Sequence, residues 1–219
     1  MQESPAARCR ATLSELSTRA AAVLLLCQIA LTLAACNASQ PLPEARQLLA
    51  LDHLPIQYDD NVQDTFAVSQ AQWSEITALF DDAADGEQER AAIAHAVARL
   101  EQIAGEQTPI GRDGRKNYGA GPGETDCLDE STNTTTFLRL MRERGLLKHN
   151  RVMEKALRSP LQLDIHWTAV VQDLQTRQRW VIDSWYNANG IPPIVQPLDD
   201  WMKKKPVPGY YAEETHSSH

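Results

Sequence analysis

Cys127, His166 and Asp183 are residue types that together can perform nucleophilic thiol chemistry, and they follow one another at gaps of 39 and 17 residues. A sulfur attacks a carbonyl as the thiolate, so it needs a base and a positive setting. An imidazole supplies the base. A carboxylate fixes the imidazole's tautomer and supports its charged form. Thr125 or Asp126 can cap a helix, which puts Cys127 in the first turn. There the unpaired backbone N–H groups and the positive end of the helix dipole favour a thiolate. The plain alternative is a small buried cysteine, a common core residue.

The other two residues belong to one predicted hairpin. Leu161–Val171 and Arg179–Trp185 are β-rich runs, separated by the polar Gln172–Gln178. Opposed residues of an antiparallel pair have a constant index sum. A tight turn at Leu174–Gln175 gives 349 and sets His166 directly opposite Asp183. A looser turn gives 351, pairs His166 with Trp185 and leaves Asp183 diagonal to the imidazole. Both registers put His166 and Asp183 on one face, whereas an even sum separates them. A satisfied core histidine beside a strand-end aspartate is the plain alternative here.

Other elements must position these three. Ser69 and Gln72 form a capping box for a helix carrying Trp73, Ile76 and Phe80 at three- and four-residue spacing. A second helix is predicted over Glu87 to Ala104, with Ala94, Val97, Leu100 and Ile103 on one face. Asp81–Gly86 between them is not a calcium loop, because Ala83 and Ala92 stand where oxygen ligands are required. Gly105–Gly123 holds six glycines and two prolines and reads as a loop of the kind found over active sites. The nucleophile helix then runs to Arg144 and stops at Gly145. Its face through Cys127, Ser131, Thr134, Leu138 and Met141 sets the sulfur at the top of a packed stripe. Ile191 to Pro197 is extended, and the tail from Lys203 onward reads as weakly ordered.

Cysteine on a helix start, then histidine and aspartate on following strands, resembles the transglutaminase-like superfamily of papain-like cysteine enzymes. Asp126-Cys127-Leu128-Asp129 is similar to the Asp-Cys-Glu-Asp run of bacterial transglutaminase-like cysteine proteinases, periplasmic members of which cut surface adhesins. The likeness covers roughly Gly123 to Trp201. His166-Trp167-Thr168-Ala169-Val170-Val171 through Trp180-Val181-Ile182-Asp183 is its most specific part. It implies an α+β fold with the nucleophile helix packed on an antiparallel sheet. It also implies a Cys127–His166–Asp183 triad hydrolysing amide bonds of a protein or peptide. Leu128 stands where the proteinases carry an acidic residue that assists calcium binding, so neither metal nor cofactor is expected. That departure leaves a second function class open: an inactive transglutaminase-like lipoprotein serving as a binding module in the cell envelope.

One oxyanion donor is expected at the Cys127 backbone N–H, with Gln107, Asn117 and Tyr118 as candidates for the second. His53, His95, His149, His216 and His219 make no set with zinc spacing.

Arg8, Arg10 and Arg19 precede an apolar run of about 16 residues, Ala20–Ala35, short of the ~20 that span a bilayer. With Leu33-Ala34-Ala35-Cys36, which resembles the bacterial lipobox, this predicts a lipoprotein signal over 1–35 and an acylated Cys36. A tether is expected over 36–63 and the hydrolase domain over 64–219. Removing the signal leaves Cys127 as the one free thiol. The expected location is the periplasmic side of the envelope, lipid-anchored, with Asn37 after the cysteine pointing to the outer membrane by resemblance. A net charge of −8 argues against a nucleic-acid partner. Arg112–Arg115–Lys116 and Lys203–Lys204–Lys205 read as solvated loops.

Overall fold

In the computed structural model, which describes residues 49–59, 62–116, 121–159 and 165–207, helices pack against a four-stranded antiparallel sheet. The signal over 1–35, Cys36, Asn117, Tyr118 and the last twelve residues lie outside the described residues. Strands β1 (Leu54–Tyr58) and β2 (Val62–Phe66) pair as a hairpin. Helices α1 (Gln70–Ala78) and α2 (Gly86–Gly105) follow, then a short 3-10 turn at Pro109–Arg112 and helix α3 (Cys127–Glu143). The four-stranded sheet is a meander of β3 (Asn150–Arg158), β4 (His166–Asp173), β5 (Arg179–Asp183) and β6 (Ile194–Pro197), in that spatial order. Helix α4 (Leu198–Met202) is the last helix among the described residues.

The α+β class and the antiparallel sheet stand as expected. Helix starts follow local chemistry. Ser69 and Gln72 make the reciprocal capping box of α1, and the Asp85 carboxylate caps α2 through Gln88 N–H at 2.8 Å. Gly145 takes φ +74° after α3, a left-handed residue that ends the helix as its sequence position suggested.

Apolar faces then assemble the core. Val152, Ala169, Val171 and Ile182 of the sheet share it with Ile93, Val97 and Leu100 of α2 and with Phe137, Leu138 and Met141 of α3. Burial of such side chains is the main favourable contribution to folding, about 1.5–3 kcal/mol for each large one. Four acceptances by the buried Glu89 carboxylate, from the N–H groups of Lys148, His149 and Asn150 and the Asn150 amide, fasten α2 to the start of β3.

The tether expected to reach residue 63 ends earlier. Leu54, Ile56 and Tyr58 of β1 are buried in the core, and the Asn133 side chain of α3 bonds both Gln57 N and Gln57 O, at 2.8 Å each. Leu54-Pro55-Ile56-Gln57-Tyr58 alternates apolar and polar, a strand pattern. The composition of the surrounding proline-rich stretch conceals it. Among the described residues no helix is long and apolar enough to cross a membrane.

Candidate active site

Helix α3 begins at Cys127 because Asp126 caps it. The Asp126 Oδ1 accepts from Leu128 N (2.7 Å) and Asp129 N (2.8 Å). The approach is fixed as well. Thr125 N donates to Asp113 Oδ1 (2.8 Å), and Gly123 N donates to Asp59 Oδ1 (2.7 Å). Gly123 has φ +84°, and a Cβ there would lie 2.2 Å from Pro109 O, so only glycine lets the loop turn into the helix at this point. Cys127 is left half-buried, its Sγ 3.9 Å from Ile165 O.

The hairpin of β4 and β5 adopts the looser register. Ala169 pairs with Ile182 and Val170 with Val181, an index sum of 351. Asp183 is thus diagonal to His166, and the Trp185 ring lies 4.7 Å from the imidazole, centroid to centroid. His166 Nε2 donates to Asp183 Oδ2 at 2.8 Å, and both side chains are 2% exposed or nearly so. The Cys127 thiol is the other side chain that acts on the ring, raising its proton affinity, while its own Sγ contacts Ile165 O. Burial alone would lower the imidazole's pKa. The hydrogen bonds to Asp183 and Cys127, with their charges, outweigh it and raise the value from 6.5 to about 9. At neutral pH this favours the imidazolium, bonded to the Asp183 carboxylate. His166 and Asp183 are in direct contact, and the Cys127 sulfur lies at the backbone of Ile165, the residue before His166.

Four surrounding groups were not foreseen. Trp201 Nε1 donates to Asp183 Oδ2 at 2.7 Å. The Tyr186 ring stands edge-on to the imidazole with centroids 5.5 Å apart. Arg158, cross-strand from His166, donates to Tyr186 Oη (3.2 Å) and to Trp201 O (2.7 Å). Lys155 donates to Thr132 Oγ1 of α3 (2.7 Å); burial lowers its pKa, against the opposing charges of Glu154, Asp126, Asp129 and Cys127. Lys155 reaches α3 because β3 carries a bulge between Met153 and Ala156, a register shift that alternation of the sequence does not announce.

Behind the cysteine lies a buried acid cluster. Glu130 of α3, Glu101 of α2 and Asp113 of the loop are each 8% exposed or less. Glu130 accepts from Thr125 Oγ1 (2.6 Å) and Glu101 from Gly190 N (3.1 Å). Desolvation, joined by the charge of Asp113, raises Glu101 to about 7. Desolvation and the charges of Glu101 and Asp113 raise Glu130 well above its ordinary value. Protonated carboxyls, sharing hydrogen bonds, are the form this burial favours. Among the described residues no group of three or more His, Cys, Asp or Glu side chains is placed to hold a metal ion.

Gln107 is not an oxyanion donor. Its amide is used structurally, accepting from Ala67 N (2.9 Å) and donating to Ala67 O (2.8 Å), which ties the end of α2 to the segment after β2. The other two candidates for that second donor, Asn117 and Tyr118, lie outside the described residues.

Comparison of the chain with protein-family models, with curated proteins and with solved structures finds no match. Any functional reading therefore rests on the geometry of this site.

Proposed function

We propose that the protein is an envelope-located cysteine hydrolase of the transglutaminase-like type, acting on amide bonds of a protein or peptide through Cys127, His166 and Asp183. The observation that carries this reading is the buried imidazole bonded to Asp183, with the Cys127 thiol of a helix start close enough to raise its proton affinity. A merely structural histidine has no need of a half-exposed sulfur beside it.

In this reading the Cys127 thiolate attacks the carbonyl carbon and the carbonyl π electrons move to oxygen, where the Cys127 peptide N–H receives the charge. Collapse breaks the C–N bond as the His166 imidazolium gives its proton to the leaving amine. The neutral imidazole then takes a proton from water, whose oxygen attacks the thioester. The second collapse returns the sulfur as thiolate and releases the carboxylic acid. Asp183 keeps Nε2–H in place throughout and supports the ring's charge. The same reading takes Cys36 as the lipid-bearing residue that anchors the protein on the periplasmic side of the membrane.

The test uses p-nitrophenyl acetate, a generic acyl donor, with detection of an acetyl thioester by intact mass. The wild type should acquire one hydroxylamine-labile acetyl group on Cys127, and Cys127→Ala none. His166→Ala should slow acylation by about 10²-fold or more, the usual size of a general acid–base contribution. A wild-type sulfur that resists acylation would instead support the inactive binding module.

A further inference from the structure

We propose that Trp201 is a positioning residue of the triad: its indole N–H shares the Asp183 carboxylate oxygen with His166 and thereby tempers how tightly the imidazole holds its proton. The inference rests on the triad reading above and deepens it. Asp183 Oδ2 accepts two N–H groups, from His166 Nε2 at 2.8 Å and from Trp201 Nε1 at 2.7 Å. An oxygen with two donors divides its negative charge between them, so each bond is weaker than it is alone. A triad needs this moderation, because an imidazolium that never releases its proton cannot protonate the leaving group or later activate water.

The placement of Trp201 is built, not incidental. The side chain is fully buried, and the indole and imidazole planes are tilted by 34° with centroids 5.5 Å apart. On the indole lies the Arg158 guanidinium, 4.4 Å from its centroid, and Arg158 Nη1 also donates to the Trp201 carbonyl at 2.7 Å. Arg158 is in turn the cross-strand partner of His166. Backbone and ring of Trp201 are thus both held by a strand that also flanks the imidazole. Helix α4, a short element after an edge strand, has its place in the fold defined by this contact: Leu198 and Trp201, three residues apart, are its buried side chains.

The charged and titratable groups facing the pair are His166 of β4, Asp183 of β5, Arg158 of β3, Tyr186 of the segment after β5 and Cys127 of α3. Of these only the carboxylate of Asp183 bonds the indole N–H.

The experiment is an NMR titration of His166 in full-length wild type and in Trp201→Phe, which keeps a ring against the imidazole and removes the donor. With the indole N–H gone, Asp183 concentrates its charge on His166, and the imidazole's titration midpoint should rise by about half a unit or more. The alkaline limb of Cys127 acylation should move with it. An unmoved or lowered midpoint in the folded variant overturns the proposal. Should Trp201→Phe not fold, the wild-type indole decides. Its Nε1–H resonance should shift with the same midpoint as His166, and an indole signal indifferent to that titration overturns the proposal. These readouts need no turnover, so they separate from the hydrolase reading. If Cys127 resists acylation while the midpoint still rises in Trp201→Phe, the hydrolase reading fails and the Trp201 coupling holds.

Discussion

At the scale of single residues, the protonation of His166 is the property from which most else follows. Its folded value of about 9 lies above the value near 6.5 of an unperturbed imidazole, so the folded protein binds this proton more tightly than the unfolded chain. The sign is therefore fixed: the stabilisation is complete below about pH 6.5, declines as pH rises and is gone above about 9. Its size is on the order of 3 kcal/mol, because each tenfold gain in proton affinity on folding contributes about 1.4 kcal/mol. Asp183→Asn keeps the shape and removes the charge. Urea unfolding at pH 6, 8 and 10 should show the wild type losing stability over that range and Asp183→Asn losing far less. Parallel pH profiles for the two proteins would contradict the assigned bond. This much is legible in the sequence, because antiparallel index sums limit which residues can meet, and 351 is one of two registers that join His166 to Asp183. Trp201 is not legible there. Its bond to Asp183 depends on where α4 packs, and nothing in Leu198-Asp199-Asp200-Trp201 says which strand it will meet.

At the scale of elements, α3 is set by its two ends and by what stands behind it. Asp126 alone accepts two of the first N–H groups, so Asp126→Ala should cost about 1 kcal/mol of stability by chemical denaturation. Because the cap also aims the helix start, cysteine acylation should slow in the same variant. Glu130 shows the opposite logic. Burial raises its folded value above the unfolded one, so ionisation works against folding as pH rises. Glu130→Gln, an uncharged shape mimic, should leave stability near pH 5 little changed and raise it at pH 8. Thermal melts at the two pH values check this, and equal loss at both would contradict it. The caps at Ser69 and Asp126 can be read directly, since a capping side chain and its N–H partners lie within three residues. The acid cluster cannot: Glu101, Asp113 and Glu130 are scattered along the chain and come together only through packing.

At the scale of the whole molecule, the packed core already includes residues well before position 64. Leu54 and Ile56 are 0% and 1% exposed, and Leu49 packs on the same core. Ile56→Ala should destabilise by about 2–4 kcal/mol, the usual cost of a cavity in a packed core. A change within about 0.5 kcal/mol, the range of an ordinary surface substitution, would restore the longer tether. Proline-rich composition outweighs a five-residue alternation when the chain is read as sequence alone, whereas in the fold the alternation decides because it finds a partner strand and the Asn133 side chain. The bulged β3 strand escapes for a related reason: pairing with β4, not its own pattern, makes it a strand.

Cys127 and His166 are held to act as one unit, and the rate of iodoacetamide alkylation against pH tests this most directly. An ordinary thiol reacts fast only as pH rises past about 8.5. The wild type should be alkylated at neutral pH faster than an ordinary thiol, and His166→Ala should return to the ordinary steep profile. Slow labelling at neutral pH, with a profile that His166→Ala leaves unchanged, would contradict the pairing.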